Sequence, residues 1–99
     1  MIRVEWEENA QDRHEAWALQ IAVNFGLPSA QAYLLEIESA EERIAEFPLS
    51  GTDFESPGRP HLKRVVIGSG YSLFYELDSL DQPKVAVIVS VTRGQKHQP

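Results

Sequence analysis

Three apolar runs fill the second half of this 99-residue chain, at 62–67, 71–77 and 85–91. Tyr71, Leu73, Tyr75 and Leu77 recur at every second position, which is the spacing of one strand face. Val85, Val87, Val89 and Val91 repeat the pattern, with Ala86 and Ile88 opposite them. A strand that is apolar on both faces belongs inside a sheet rather than at its edge. A sheet of such strands must cover at least one face. The chain offers one cover, the helical residues that precede it.

Those helices follow a short strand at 2–6, in which Ile2, Val4 and Trp6 alternate with Arg3 and Glu5. From Glu8 the period changes. Ala10, His14, Trp17, Ile21 and Phe25 form one helical stripe, with Asp12, Glu15 and Gln20 on the other face. Asn9 is placed to cap this helix, and Gly26 suits the left-handed position after it. A second helix opens at Pro28-Ser29, with Ser29 as its candidate cap. Its stripe is Ala30, Tyr33, Leu34, Ile37, Glu41, Ile44 and Phe47, widened by Leu35, Ala40 and Ala45, and Pro48 stops it. The short link at 26–29 predicts an antiparallel helical hairpin. Residues 49–60, with Gly51, Pro57, Gly58 and Pro60, read as a surface loop. Gly68-Ser69-Gly70 reads as a hairpin turn, 78–84 as a link and 93–99 as a polar tail. The predicted fold is α+β in the order β-α-α-β-β-β, a single domain over 1–99. In it an antiparallel sheet packs against an N-terminal helical hairpin.

Composition narrows the function. With 42% hydrophobic and 24% charged residues the chain is globular rather than disordered. It has no cysteine, which excludes disulfides, thiolate metal sites and a cysteine nucleophile. No apolar run reaches the roughly 18–20 residues of a membrane helix, and Met1-Ile2-Arg3-Val4-Glu5 does not open a secretion signal. A cytoplasmic protein without a membrane partner is expected. The net charge is −6, but residues 1–50 carry ten acids and three bases while 51–99 carry five acids and six bases. Such a chain repels polyphosphate at long range, so broad nucleic-acid affinity is not expected. A local basic patch in the second half remains compatible with this balance.

Catalytic signatures are missing. Gly68-Ser69-Gly70-Tyr71-Ser72 has neither the spacing of a nucleophile elbow nor the third glycine and helix of a dinucleotide loop. His14, His61 and His97 lack paired metal-ligand spacing. His14 reads as a partly buried spacer on its stripe, His61 as the start of a strand and His97 as a solvated tail residue. Trp17 and Tyr33 read as core aromatics, and Tyr71 and Tyr75 as sheet-packing residues. Neither a catalytic residue, a metal nor a cofactor is expected.

Ile44-Ala45-Glu46-Phe47-Pro48-Leu49-Ser50-Gly51 ends the second helix with an Ile-x-x-x-Pro-x-x-Gly pattern. Lys63-Arg64-Val65-Val66-Ile67 and Gly70-Tyr71-Ser72-Leu73-Phe74-Tyr75-Glu76-Leu77 form the middle hairpin, and Val87-Ile88-Val89-Ser90-Val91-Thr92-Arg93 the last strand with a basic exit. In this order the motifs resemble those of the ParE/RelE toxin superfamily. The resemblance implies the toxin of a type II toxin–antitoxin pair, neutralised by an antitoxin encoded beside it. The antitoxin's tail is expected to cover apolar surface on the helical hairpin or the sheet edge.

Two mechanisms occur in that superfamily. RelE-like members are ribosome-dependent endoribonucleases acting on mRNA, whereas ParE-like members bind DNA gyrase and have no enzymatic site. The nuclease hairpin commonly reads Gly-Tyr-Arg; here Ser72 holds the arginine position and supplies no cation to phosphate. Val65 stands where a second base is often found, and no C-terminal tyrosine follows Arg93, with only His97 as a stand-in. The resemblance therefore favours the ParE-like branch. A degenerate, non-toxic antitoxin-binding module is a third reading. The target-binding residues it implies are Lys63, Arg64, Tyr71, Arg93, Lys96 and His97, with Arg59 adding to the basic surface.

Overall fold

The computed structural model describes residues 1–68 and 70–93. Along them run β1 (Arg3–Trp6), α1 (Glu8–Phe25), α2 (Leu27–Glu46), β2 (Thr52–Asp53), β3 (Leu62–Ile67), β4 (Tyr71–Leu77) and β5 (Val85–Arg93). The strands form one sheet in the order β1-β5-β4-β3-β2, with the helices packed against it. β5 lies between β1 and β4, the interior place that its apolar faces predict.

The sheet is mixed rather than antiparallel throughout. β1 runs parallel to β5, with Arg3 opposite Val85 and Trp6 opposite Ile88. Alternation in a four-residue strand says which face is buried but names neither neighbour nor direction. Between the two strands the chain makes the long crossover that parallel pairing requires. The segment read as a plain loop contains β2, antiparallel to β3, with Thr52 opposite Arg64 and Asp53 opposite Lys63. Two residues are too few to show a period.

The helix ends also differ from expectation. Asn9 lies inside α1, whose N-cap is Glu7, without a side-chain capping bond. Gly26 is the C-cap of α1 and the N-cap of α2 at once, at φ 96. Its N–H donates to the Ala22 carbonyl at 3.0 Å, and the Ala30 N–H donates to its own carbonyl at 3.3 Å. One residue in a positive-φ conformation open to glycine thus reverses the chain. Ser29 is not a cap but sits in the first turn of α2, where its hydroxyl donates to the Phe25 carbonyl at 3.4 Å. Four residues of the expected stripes are solvent-exposed, Phe25, Leu34, Leu35 and Phe47.

The core joins Ile21 of α1 and Ala30, Tyr33, Ile37, Ala40 and Ile44 of α2 to the sheet. β4 contributes Tyr71, Leu73, Tyr75 and Leu77, as its alternation predicts. β5 does not obey its own alternation. Phe74 pairs with Ser90 but Tyr75 pairs with Ile88, so Val89 is an extra residue in the ladder. A bulge of this kind shifts the phase of everything beyond it. Ala86, Ile88 and Val91 therefore reach the core together, while Val85, Val87 and Val89 stay half-buried. The expected single face of four valines is divided. Beyond β1, the side of β5 meets α1, where the Trp17 indole N–H donates to the Val91 carbonyl at 3.2 Å.

The face of β4 away from this core carries Phe74, which is fully buried. Phe54, just after β2, packs edge-on against it with ring centroids 5.0 Å apart.

Candidate target-binding site

β2 decides where Lys63 points its charge. The Lys63 ammonium lies 2.6 Å from the Asp53 carboxylate and donates to the Gly51 carbonyl at 3.4 Å. The lysine side chain is 7% exposed, while that of Asp53 is 88% exposed. Lys63 therefore ties the 51–53 backbone to β3 and presents little charge to solvent. Arg64, next along the strand, is half-buried and faces Phe74 across the ladder. Arg59 is held between two carboxylates, Glu7 at 3.6 Å and Glu76 at 3.5 Å.

Tyr71 and Arg93 are brought together. They are cross-strand partners at the start of β4 and the end of β5. Tyr71 is buried, with Trp17 edge-on at 5.5 Å and Tyr33 tilted at 5.1 Å between centroids. Arg93 is exposed and makes no ion pair or side-chain hydrogen bond among the described residues. It stands at a cleft of about 200 Å³ lined by Ile21, Phe25, Ser29, Tyr33 and Tyr71. Both helices and two strands thus converge on the arginine. Lys63 and Arg64 lie near the other end of β3, roughly 10–13 Å along the strand from Ile67, the partner of Tyr71. The six residues expected to share a surface are divided: Tyr71 and Arg93 together, Lys63 and Arg64 apart from them. Lys96 and His97 lie outside the described residues.

The walls of the cleft carry no signature of a site in the sequence. The stripe predicts Phe25 to be buried, yet it is 69% exposed and flanks Arg93. Its one signal in the sequence is position: it closes the last turn before Gly26, where a helix parts from its partner.

Behind the cleft lies an aromatic chain that links β1, α1 and α2. Trp6 of β1 stacks on His14 of α1 with centroids 4.9 Å apart, and His14 meets Tyr33 of α2 at 5.5 Å. His14 Nδ1 and the Tyr33 hydroxyl share a hydrogen bond of 3.1 Å, and the Trp6 indole N–H donates to Glu41 at 3.0 Å. Burial lowers the His14 pKa below the ordinary histidine value, against the pull of Glu41 and Glu15. Burial also pushes the Tyr33 hydroxyl well above the usual tyrosine range, helped by Tyr71 and Glu36. A neutral imidazole and a neutral phenol are what this pocket favours. Their bond ties α1 to α2, and the Trp6 stack adds β1.

Ser72, the residue in place of the expected arginine, is fully buried opposite Thr92. No cluster of three metal-ligating side chains occurs among the described residues. No described helix is long and apolar enough to cross a membrane.

Residues 4–97 match the family described as "ParE toxin of type II toxin-antitoxin system, parDE". The chain belongs to the ParE toxin family. It is thereby the toxin member of a two-protein system whose other member is an antitoxin. No curated protein matches the sequence closely enough to count as a relative. Solved structures share the fold at low identity. A chain described as "Chromosomal ParDE TA system from P. aeruginosa" is 16% identical, with a TM-score of 0.73 over 96% of this chain and 98% of that one. The isolated E. coli RelE toxin is 15% identical, with a TM-score of 0.60 over 99% of this chain and 89% of that one. A chain of the intact E. coli RelBE toxin-antitoxin complex is 16% identical, with a TM-score of 0.61 over 97% and 100%. In this ParE-family toxin the Pro48-x-x-Gly51 motif has a structural reason. The Tyr75 hydroxyl donates to the Pro48 carbonyl at 2.7 Å and accepts the Gly51 N–H at 3.1 Å.

Proposed function

We propose that this ParE-family toxin arrests growth in the cytoplasm by binding DNA gyrase directly, without an enzymatic step, and that its antitoxin relieves the arrest. The observation that carries this reading is Ser72. RNA cleavage needs a cation where charge builds on phosphate, and the position that would hold it carries a fully buried serine. Lys63, the neighbouring strand's candidate, is already paired with Asp53. Arg93, exposed and without an ion pair among the described residues, is the residue best suited to meet a protein target. Its backbone is held by the ladder to Tyr71, so little is lost on ordering it.

The antitoxin is proposed to use the outer side of β3. β2 pairs only with Lys63 and Arg64, so the strand continues from Val65 to Ile67 past its last described neighbour on that side. Beside it runs a groove lined by Leu35, Ser39, Arg43 and Val66. An added strand or amphipathic segment would close both.

Inducible expression without the antitoxin gene, followed by supercoiling and translation assays on purified components, tests the reading. Inhibited supercoiling with intact translation is the expected result. Ribosome-dependent mRNA cleavage would establish the RelE-like alternative instead, and normal growth would indicate a non-toxic binding module.

A further inference from the structure

The cleft at Arg93 has a specific chemistry. Its lining is apolar or neutral apart from the guanidinium, since Ile21, Phe25, Ser29, Tyr33 and Tyr71 bring no carboxylate. Arg3, Arg59 and Lys63 each have a carboxylate beside them, and Arg93 has none among the described residues. Phe25 is the bulky apolar wall of this cleft that stands open to solvent, at 69% exposure. An exposed aromatic side chain beside a guanidinium is the kind of pair that anchors protein interfaces.

Size and charge select the occupant. About 200 Å³ is below the range of cofactor and small-molecule pockets but accepts one large side chain. The net charge of −6 disfavours an extended polyanion at long range, whereas a single carboxylate is met locally by Arg93. A carboxylate adjacent to the inserted side chain would pair with Arg93 in a bidentate fashion. We propose that this cleft receives an acidic protein segment, inserting one leucine or phenylalanine between Phe25 and Tyr71 while a neighbouring carboxylate pairs with Arg93. The inference rests on the gyrase reading only in taking Arg93 as the residue that faces the target. It adds the chemical character of the segment that binds there.

The test uses the purified full-length toxin and short synthetic peptides of alternating Leu and Glu, with alternating Leu and Lys as the control. Amide and side-chain NMR shifts are followed up to about millimolar peptide. The expected result is that the Leu–Glu peptide shifts Ile21, Phe25, Ser29, Tyr71 and Arg93, and that the Leu–Lys peptide does not. Arg93→Glu should weaken the Leu–Glu peptide by about tenfold or more, and Arg93→Lys should restore part of the binding. Phe25→Ala, at an exposed position, should weaken both the wild-type and the Arg93→Lys complex. Equal binding of the two peptides, shifts confined to another surface, or no shifts at all would overturn the proposal. The growth and supercoiling assays do not enter this experiment. A toxin that inhibits gyrase but ignores the peptide leaves the gyrase reading standing and removes this inference, and the converse result does the opposite.

Discussion

The Tyr75 hydroxyl bridges the end of α2 to β2 by accepting the Gly51 N–H at 3.1 Å while donating to the Pro48 carbonyl at 2.7 Å. A Cβ built on Gly51 would lie 2.6 Å from that oxygen and 3.0 Å from the Lys63 Cβ. Glycine is required here by close approach, and the phenol by the backbone groups it satisfies. Burial raises the Tyr75 pKa, so the hydroxyl stays protonated and able to donate.

Removing that oxygen should therefore cost stability rather than toxicity. Tyr75→Phe leaves a part-buried donor and acceptor without their partner and should destabilise the fold by about 1–3 kcal/mol. Gly51→Ala should cost a similar amount, about 1–3 kcal/mol, through overpacking. Urea unfolding measures both, and a midpoint unchanged from wild type in either variant would show that the bridge carries no stability.

Lys63 separates a structural role from a target-binding one. Lys63→Met keeps the aliphatic stem and removes the pair with Asp53. Because Asp53 remains hydrated, the loss should be only about 0–1 kcal/mol. Growth arrest should persist in the folded variant. Loss of toxicity with unchanged circular dichroism would return Lys63 to the target-binding surface.

Arg93→Ala should relieve growth arrest while leaving stability within about 0.5 kcal/mol of wild type, as an exposed residue at a strand end contributes little to the core. Antitoxin co-purification should be retained. Ser72→Ala, by contrast, should remain toxic because no phosphate chemistry passes through that position. The growth assay reads both, and full toxicity in Arg93→Ala would move the target surface elsewhere.

His14 makes stability depend on pH in a predictable direction. Its pKa is lowered in the folded protein, so the unfolded chain binds the proton more readily. Stability contributed by the neutral ring is complete above about pH 6.5 and declines as the pH falls towards the folded value. One proton sets the limit, about 1.4 kcal/mol per pH unit. Asp78, held low by the N–H groups of Lys84 and then Val85, titrates below the ordinary carboxylate range and stays outside this window. Urea midpoints between about pH 5 and 7 should fall with acid in wild type and flatten in His14→Gln. A slope that survives the substitution would assign the effect to another group.

The sequence by itself determined the elements and the way they layer. Hydrophobic period is a local property, and it marked β3 and β4 to the residue, the two helices, the interior place of β5 and the need for a helical cover. The family motifs, too, are local strings. What the sequence did not contain was anything set by a second segment. The parallel pairing of β1 depends on where the helices return the chain. β2 exists because β3 offers it hydrogen-bond partners. The bulge at Val89 arises between two strands and reverses the phase that the alternation of β5 alone predicts. The candidate site followed the same division. Six residues were named from their types and places, but charge and exposure are decided by neighbours. Asp53 takes up Lys63, the core takes up Tyr71, and Glu7 and Glu76 take up Arg59. Among the described residues, Arg93 is left exposed beside a cleft, because the helical reversal at Gly26 brings walls to the end of β5 that carry no described carboxylate. Tertiary structure decided that, since whether a charge is neutralised depends on distances between residues far apart in the chain.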